Sequence, residues 1–193
     1  ARYSADVRPE GLAHAVMAVS SVARGRVTHL DVAAAEAHPG VVAVMTPRNA
    51  PALAKSPDLK DNPFAFRLDL LQNDGVRYAN QPIAVVIAET LEAATEGAAL
   101  LAPRYESEGV SVALGAGEIF RPETIGAGSA TDEGSGDLAA GMAAAETRIE
   151  ATYDTAAQYH NALEPHASVA QWDGDRLTLH TPTQALWIAK GRL

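Results

Sequence analysis

The 193-residue sequence contains no cysteine. That absence excludes disulfides, thiolate zinc sites and cysteine-ligated iron–sulfur clusters from this chain. Aromatic residues are also scarce, at 5%, so the 47% hydrophobic content comes mostly from Ala and Val. Positive charge is in short supply: 15 Lys and Arg stand against 24 Asp and Glu, a formal net charge of −9. Nucleic acid is excluded as a partner because phosphate binding needs clustered Lys and Arg. No basic amphipathic stretch suggests a membrane surface, and no apolar run is long enough to span a bilayer. The opening residues, Ala1-Arg2-Tyr3-Ser4-Ala5-Asp6, lack a signal-peptide layout. The acidity therefore reads as a solubility feature.

What is present reads as two blocks joined by a flexible stretch. In the first, Ala13–Ser20 and Arg26–Val32 carry strand signals around a turn at Gly25, and Ala33–Ala37 is a short helical run stopped by Pro39-Gly40. Val41–Met45 has strand length and composition. Between Pro47 and Leu71, interrupted by Pro51, Pro57 and Pro63, a short helix and a long loop are expected. Ile83–Ala88 is continuously apolar, as a strand buried on both faces should be. Thr90 then stands where an N-cap belongs, and Leu91, Ala94, Ala98 and Leu101 fall on one helical face. Gly97 inside that helix costs about 1 kcal/mol relative to Ala, which suggests a close packing contact.

The segment 115–136 is rich in Gly, Ser, Thr and acids and reads as a linker. Beyond it, Asp137 can cap a short helix, Ile149–Thr155 alternates like a strand, and Asp173-Gly174-Asp175 joins two strand signals into a hairpin. Thr183 should cap a helix beginning at Gln184. The expected division is 1–114, a linker at 115–136, and 137–193, in an α/β (α+β) chain.

Few residues offer chemistry. His160, Glu164 and His166 could ligate a metal or shuttle protons, but Pro165 interrupts the helix that would align them. Polar residues orienting a loop through backbone hydrogen bonds are the better reading. Gly126-Ala127-Gly128 lacks the strand and the Lys-Ser/Thr of a phosphate loop. Ser20-Ser21 lacks nucleophile-elbow glycines. Asp58, Asp61, Asp69 and Asp74 lack calcium-loop spacing.

Several segments nevertheless occur together in a telling order. They are Ala1 to Asp6; His29-Leu30-Asp31 and Pro39-Gly40-Val41-Val42-Ala43-Val44-Met45-Thr46; Val76-Arg77-Tyr78-Ala79-Asn80-Gln81-Pro82-Ile83; and Leu163-Glu164-Pro165-His166-Ala167-Ser168 followed by Trp172-Asp173-Gly174-Asp175 and Thr183-Gln184. The ordered set resembles the molybdenum-binding large subunit of the xanthine dehydrogenase/aldehyde oxidase family. The variant Ala23-Arg24-Gly25-Arg26-Val27 is similar to the bacterial aldehyde oxidase and isoquinoline oxidoreductase-like branch.

The resemblance implies an α/β-hammerhead domain over 1–114, followed by the first strands and helix of a molybdopterin-binding domain, truncated, at 137–193. It implies a parent oxidoreductase that hydroxylates aldehydes or N-heterocycles, small-molecule substrates, with water-derived oxygen. Electrons would leave through iron–sulfur clusters, usually to FAD, on partner subunits or domains. Gln184 matches the family glutamine that hydrogen-bonds an oxygen ligand of molybdenum, and an amide can donate that bond without adding charge. The family's later glycine-rich loop and its general-base glutamate have no counterpart here. No catalytic residue and no metal ligand is therefore expected in this chain, and the chain alone is expected to be inactive and without cofactor. Asn80 replaces the usual Gly before Gln81-Pro82, and Asn tolerates the positive φ such a turn needs. Gln81 itself is expected to be structural. Cytoplasmic location is expected, with the periplasm as the alternative. Two other functions stay open: a non-catalytic hammerhead binding module, and a small structural subunit that completes a site with another chain.

Overall fold

Residues 2–53, 69–111, 113, 116–125 and 128–191 are described by a computed structural model. They fall into two units, Ala13–Gly136 and, separately, Ala1–Leu12 together with Asp137–Leu193. The former runs β1 (His14–Val19), β2 (Gly25–His29), α1 (Val32–Glu36), β3 (Val41–Met45), β4 (Gly75–Val76), β5 (Pro82–Ala88), α2 (Leu91–Leu100) and β6 (Arg104–Ser107), then a small hairpin of β7 (Thr124–Ile125) and β8 (Ser129–Ala130). The expected β1, β2, β3 and β5 and both helices are present. Residues 115–136, read as a linker, also hold the β7–β8 hairpin. Of the short helix and long loop expected between Pro47 and Leu71, residues 47–53 form a turn and no helix, and 54–68 lie outside the described residues.

The apolar run of β5 occupies the middle of an antiparallel sheet ordered β1-β5-β3, so it hydrogen-bonds on both edges. Val86 pairs with Val16 on one side and Val44 on the other. Alternation sends Ala84, Val86 and Ala88 to one face, and all three are fully buried. There they pack in clusters that include Ala35 of α1, Ala93 and Ala94 of α2, and Leu101 just beyond α2. The opposite face is less covered than the sequence suggests, because Val85 and Ile87 are only half-buried. Ile83, at the start of the strand, instead joins Val27 and Val76 of a second antiparallel sheet ordered β4-β2-β6.

Both helices begin as their sequences dictate. Thr90 Oγ1 accepts from Ala93 N at 3.1 Å, and Asp31 Oδ1 accepts from Ala34 N at 3.1 Å, satisfying backbone donors that have no partner within the helix. Of the expected face of α2, Ala94 and Leu101 are fully buried and Ala98 packs against the core, while Leu91 is 53% exposed. Ala93 and Gly97 extend the contact. Small residues let the helix backbone approach the sheet closely. At Gly97 a Cβ would lie 2.9 Å from Val41 Cγ2 and 3.0 Å from Val86 Cγ1.

The other unit contains a 3-10 turn at Ser4–Asp6, α3 (Leu138–Ala144), a hairpin of β9 (Val169–Asp173) and β10 (Arg176–His180), and α4 (Leu186–Lys190). Asp137 Oδ1 caps α3 by accepting from Ala140 N at 2.9 Å. In the hairpin, Asp173 pairs with Arg176, and Gly174 supplies the positive φ of +56° that the tight turn needs. Two expectations fail here. Residues 149–155 form no strand, because alternation alone cannot hold an extended segment whose N–H and C=O groups find no neighbouring strand. The last helix starts at Leu186 rather than Gln184, with Ala185 as its N-cap. Thr183 still closes a local turn, its Oγ1 accepting from Ala185 N at 3.1 Å.

Candidate functional site

The Asn80-Gln81-Pro82 entry to β5 is fully engaged in holding backbone. Asn80 adopts φ +65°, the left-handed conformation expected where a glycine is usual. The Gln81 amide uses both ends: Nε2 donates to Gly75 O at 2.7 Å and Oε1 accepts from Arg77 N at 2.8 Å. Its backbone carbonyl accepts from Ser20 N at 2.8 Å, while the buried Ser20 hydroxyl donates to a carbonyl, Tyr78 O at 3.1 Å or Val22 O at 3.0 Å. With both ends of its amide bonded to backbone, Gln81 is a structural latch between β4 and β5. Ser20 is likewise a satisfied core hydroxyl rather than a nucleophile.

The His160, Glu164 and His166 trio does not converge on a metal site. Both histidines are exposed, and among the described residues no three His, Asp or Glu side chains lie close enough to hold an ion. Glu164 has a separate task, accepting from Ser4 N at 3.0 Å. Sequence reasoning correctly suspected a loop-orienting residue here. The partner, 160 positions away, left no signal in the sequence. Of the acidic loop residues, Asp69 pairs with Arg77 at 2.9 Å, Asp74 supports β2 by accepting from Val27 N through its carbonyl, and Asp58 and Asp61 lie outside the described residues.

Gln184 sits on the chain leaving β10. Ser168 and Thr181 hydroxyls, 2.6 Å apart, tie the open end of the hairpin. Leu179 to Thr183 then form one wall of an open hollow, whose other lining includes Arg2, Tyr3, Ser4, Val7 and Glu164. Immediately beyond this wall, the Gln184 side chain is exposed and engages no other described residue. The five-residue α4 that follows is too short to concentrate a helix dipole, so the amide is the useful group. A neutral, unengaged N–H donor fits an oxygen of a bound oxo-anionic group.

Two family models match in sequence order. The aldehyde oxidase and xanthine dehydrogenase a/b hammerhead domain matches residues 1–109, and the molybdopterin cofactor-binding domain matches residues 121–193. The chain is 37% identical over 190 residues to the aldehyde oxidoreductase molybdenum-binding subunit PaoC of Escherichia coli (strain K12), covering 96% of this chain and 24% of that protein. It is 28% identical over 199 residues to the nicotine 6-hydroxylase large subunit of Paenarthrobacter nicotinovorans, covering 95% of this chain and 24% of that one. A CO dehydrogenase structure from Oligotropha carboxidovorans aligns with 58% of this chain and 14% of its own, at 27% identity and a TM-score of 0.46. The chain thus spans about a quarter of the length of the curated relatives it matches. On the extent and order of these matches, the chain belongs to the aldehyde oxidase and xanthine dehydrogenase family, carrying its α/β-hammerhead domain and sequence of its molybdopterin cofactor-binding domain.

Proposed function

We propose that this chain contributes the hammerhead and one wall of the cofactor site to the large subunit of a molybdenum hydroxylase acting on aldehydes or N-heterocycles. The observation that carries this reading is the free Gln184 amide within sequence matched to a molybdopterin-binding domain. The proposed division is a hammerhead over 1–114, a connector over 115–136, and the opening of the cofactor-binding domain from 137 onward. When bound, the molybdenum cofactor supplies two-electron redox chemistry at a water-derived oxygen. The role of this chain is narrower. Gln184 donates one hydrogen bond to an oxygen of the group and orients it, without adding charge.

The same reading makes the chain inactive when alone. Among the described residues of the unit that holds Gln184, the apolar burial is confined to Val169, while Leu138, Ile149, Tyr153, Leu163 and Trp187 are each more than 80% exposed. In this reading the remainder of the large subunit would cover these side chains. The partners are the remainder of the large subunit, together with iron–sulfur and FAD subunits or domains as electron acceptors.

The test is Gln184→Ala in the full-length subunit. Removing one preorganised donor should lower turnover on the order of 10²-fold at matched molybdenum content. Thermal stability should change little, by about 0.5 kcal/mol or less, as for an exposed neutral side chain. Unchanged turnover would remove Gln184 from the site, and a parallel collapse of stability would make its role structural.

A further inference from the structure

Residues 2–7 belong to the same compact unit as the hairpin that leads to Gln184, although more than 150 positions separate them in sequence. This arm is locally stiff. Within its 3-10 turn, Asp6 N donates to Tyr3 O at 3.0 Å, Val7 N donates to Ser4 O at 3.2 Å, and the Asp6 carboxylate accepts from Tyr3 N at 2.7 Å. A helical turn leaves its first N–H groups without internal partners. Asp6 satisfies that of Tyr3, and the Ser4 N–H is taken by Glu164 Oε1 at 3.0 Å. This bond crosses from the arm to the segment entering β9. The arm thereby walls the same hollow as Leu179 to Thr183, the segment that delivers Gln184. A carboxylate bonding a helix-start N–H is a strong, charge-assisted contact.

We propose that Glu164 is a positioning residue, one that clamps the N-terminal arm beside the strand exit and so fixes where Gln184 is presented. It touches neither substrate nor cofactor. The proposal rests on the reading of Gln184 given above, but the clamp itself can be measured independently of that reading. Accepting the bond requires an oxygen at the end of a side chain of this length, which a neutral amide also provides, though without the added strength of the charge. Gln should therefore substitute for Glu, and Ala should not.

The experiment uses the full-length subunit in its assembled enzyme, comparing Glu164→Ala, Glu164→Gln and Gln184→Ala. Hydrogen exchange should show the Ser4 to Val7 amides exchanging about tenfold faster in Glu164→Ala, as expected for loss of a bond to a charged group. Near-native protection should return in Glu164→Gln. At matched molybdenum content, turnover of Glu164→Ala should fall by about 10- to 10²-fold with KM nearly unchanged, the cost of a misplaced group, and Glu164→Gln should recover most of it. Unaltered amide protection in Glu164→Ala would overturn the clamp. Released amides with unaltered turnover would overturn its positioning role, as would a Gln variant as impaired as the Ala variant. If Gln184→Ala alone has no effect on turnover, the proposed function of Gln184 fails, whereas the exchange result still decides the clamp.

Discussion

The segment 83–101 and the segment 138–187 both carry apolar side chains at strand or helix spacing, yet those side chains end up in opposite conditions. In the first, strand β5 and helix α2 turn their apolar positions toward each other, and Ala84, Val86, Ala88, Ala94 and Leu101 are all fully buried. In the second, the helix face of Leu138 and Met142 and the alternating Ile149 and Tyr153 are exposed. The difference lies in whether a complementary surface is available, since β5 is flanked by two strands and covered by α2, with Ala35 of α1 in the same core cluster. Hydrophobic periodicity specifies which face should be buried and says nothing of what buries it.

This contrast can be broken by substitution. The largest effect should come from Leu101→Ala, because Leu101 is a fully buried side chain at the junction of α2 and the sheet. Truncation there should cost about 2–5 kcal/mol in denaturant unfolding. A cost under 1 kcal/mol would mean that the hammerhead core is loosely packed. Next comes Gly97→Ala. Helix propensity alone favours Ala by about 1 kcal/mol, but the added Cβ meets Val41 and Val86 at 3.0 Å or less. Overpacking of about 1–3 kcal/mol should outweigh the gain, so the midpoint should fall, and a rise would show that both valines can yield. The smallest effect belongs to Ile149→Ser, at 86% exposure. In this 193-residue chain it should alter stability by no more than about 0.5 kcal/mol. A loss above 1 kcal/mol would show that the side chain is covered in solution, and the contrast would dissolve.

Legibility follows the range of the interaction concerned. The caps at Thr90 and Asp137 and the positive φ at Gly174 were readable, because each depends on a residue's own backbone or its near neighbours, and the positive φ at Asn80 was readable through likeness to a family glycine. A glycine inside α2 suggested a close contact, but its partners, Val41 and Val86, became visible only with the fold. The start of α4 was misread by two residues because Thr183, a good cap by type, turns back onto Ala185 instead of opening the helix. Position 184 could be matched to a role only by likeness to a family. Its exposure and freedom from partners became visible with the fold. The bond from Ser4 to Glu164 could not be read at all.

By itself the sequence determined part of the local geometry: the caps that open α1, α2 and α3, residues that turn the chain, and which faces are apolar. Those outcomes depend on steric limits at single residues and on hydrogen bonds a few positions long. The tertiary structure alone decided which strands flank β5, that Leu91 stays exposed, and that residues 2–7 lie with the hairpin leading to Gln184. These depend on contacts between distant segments, where the stabilisation comes from complementary shape and from unpaired groups finding one another, neither of which is written in any single stretch of chain.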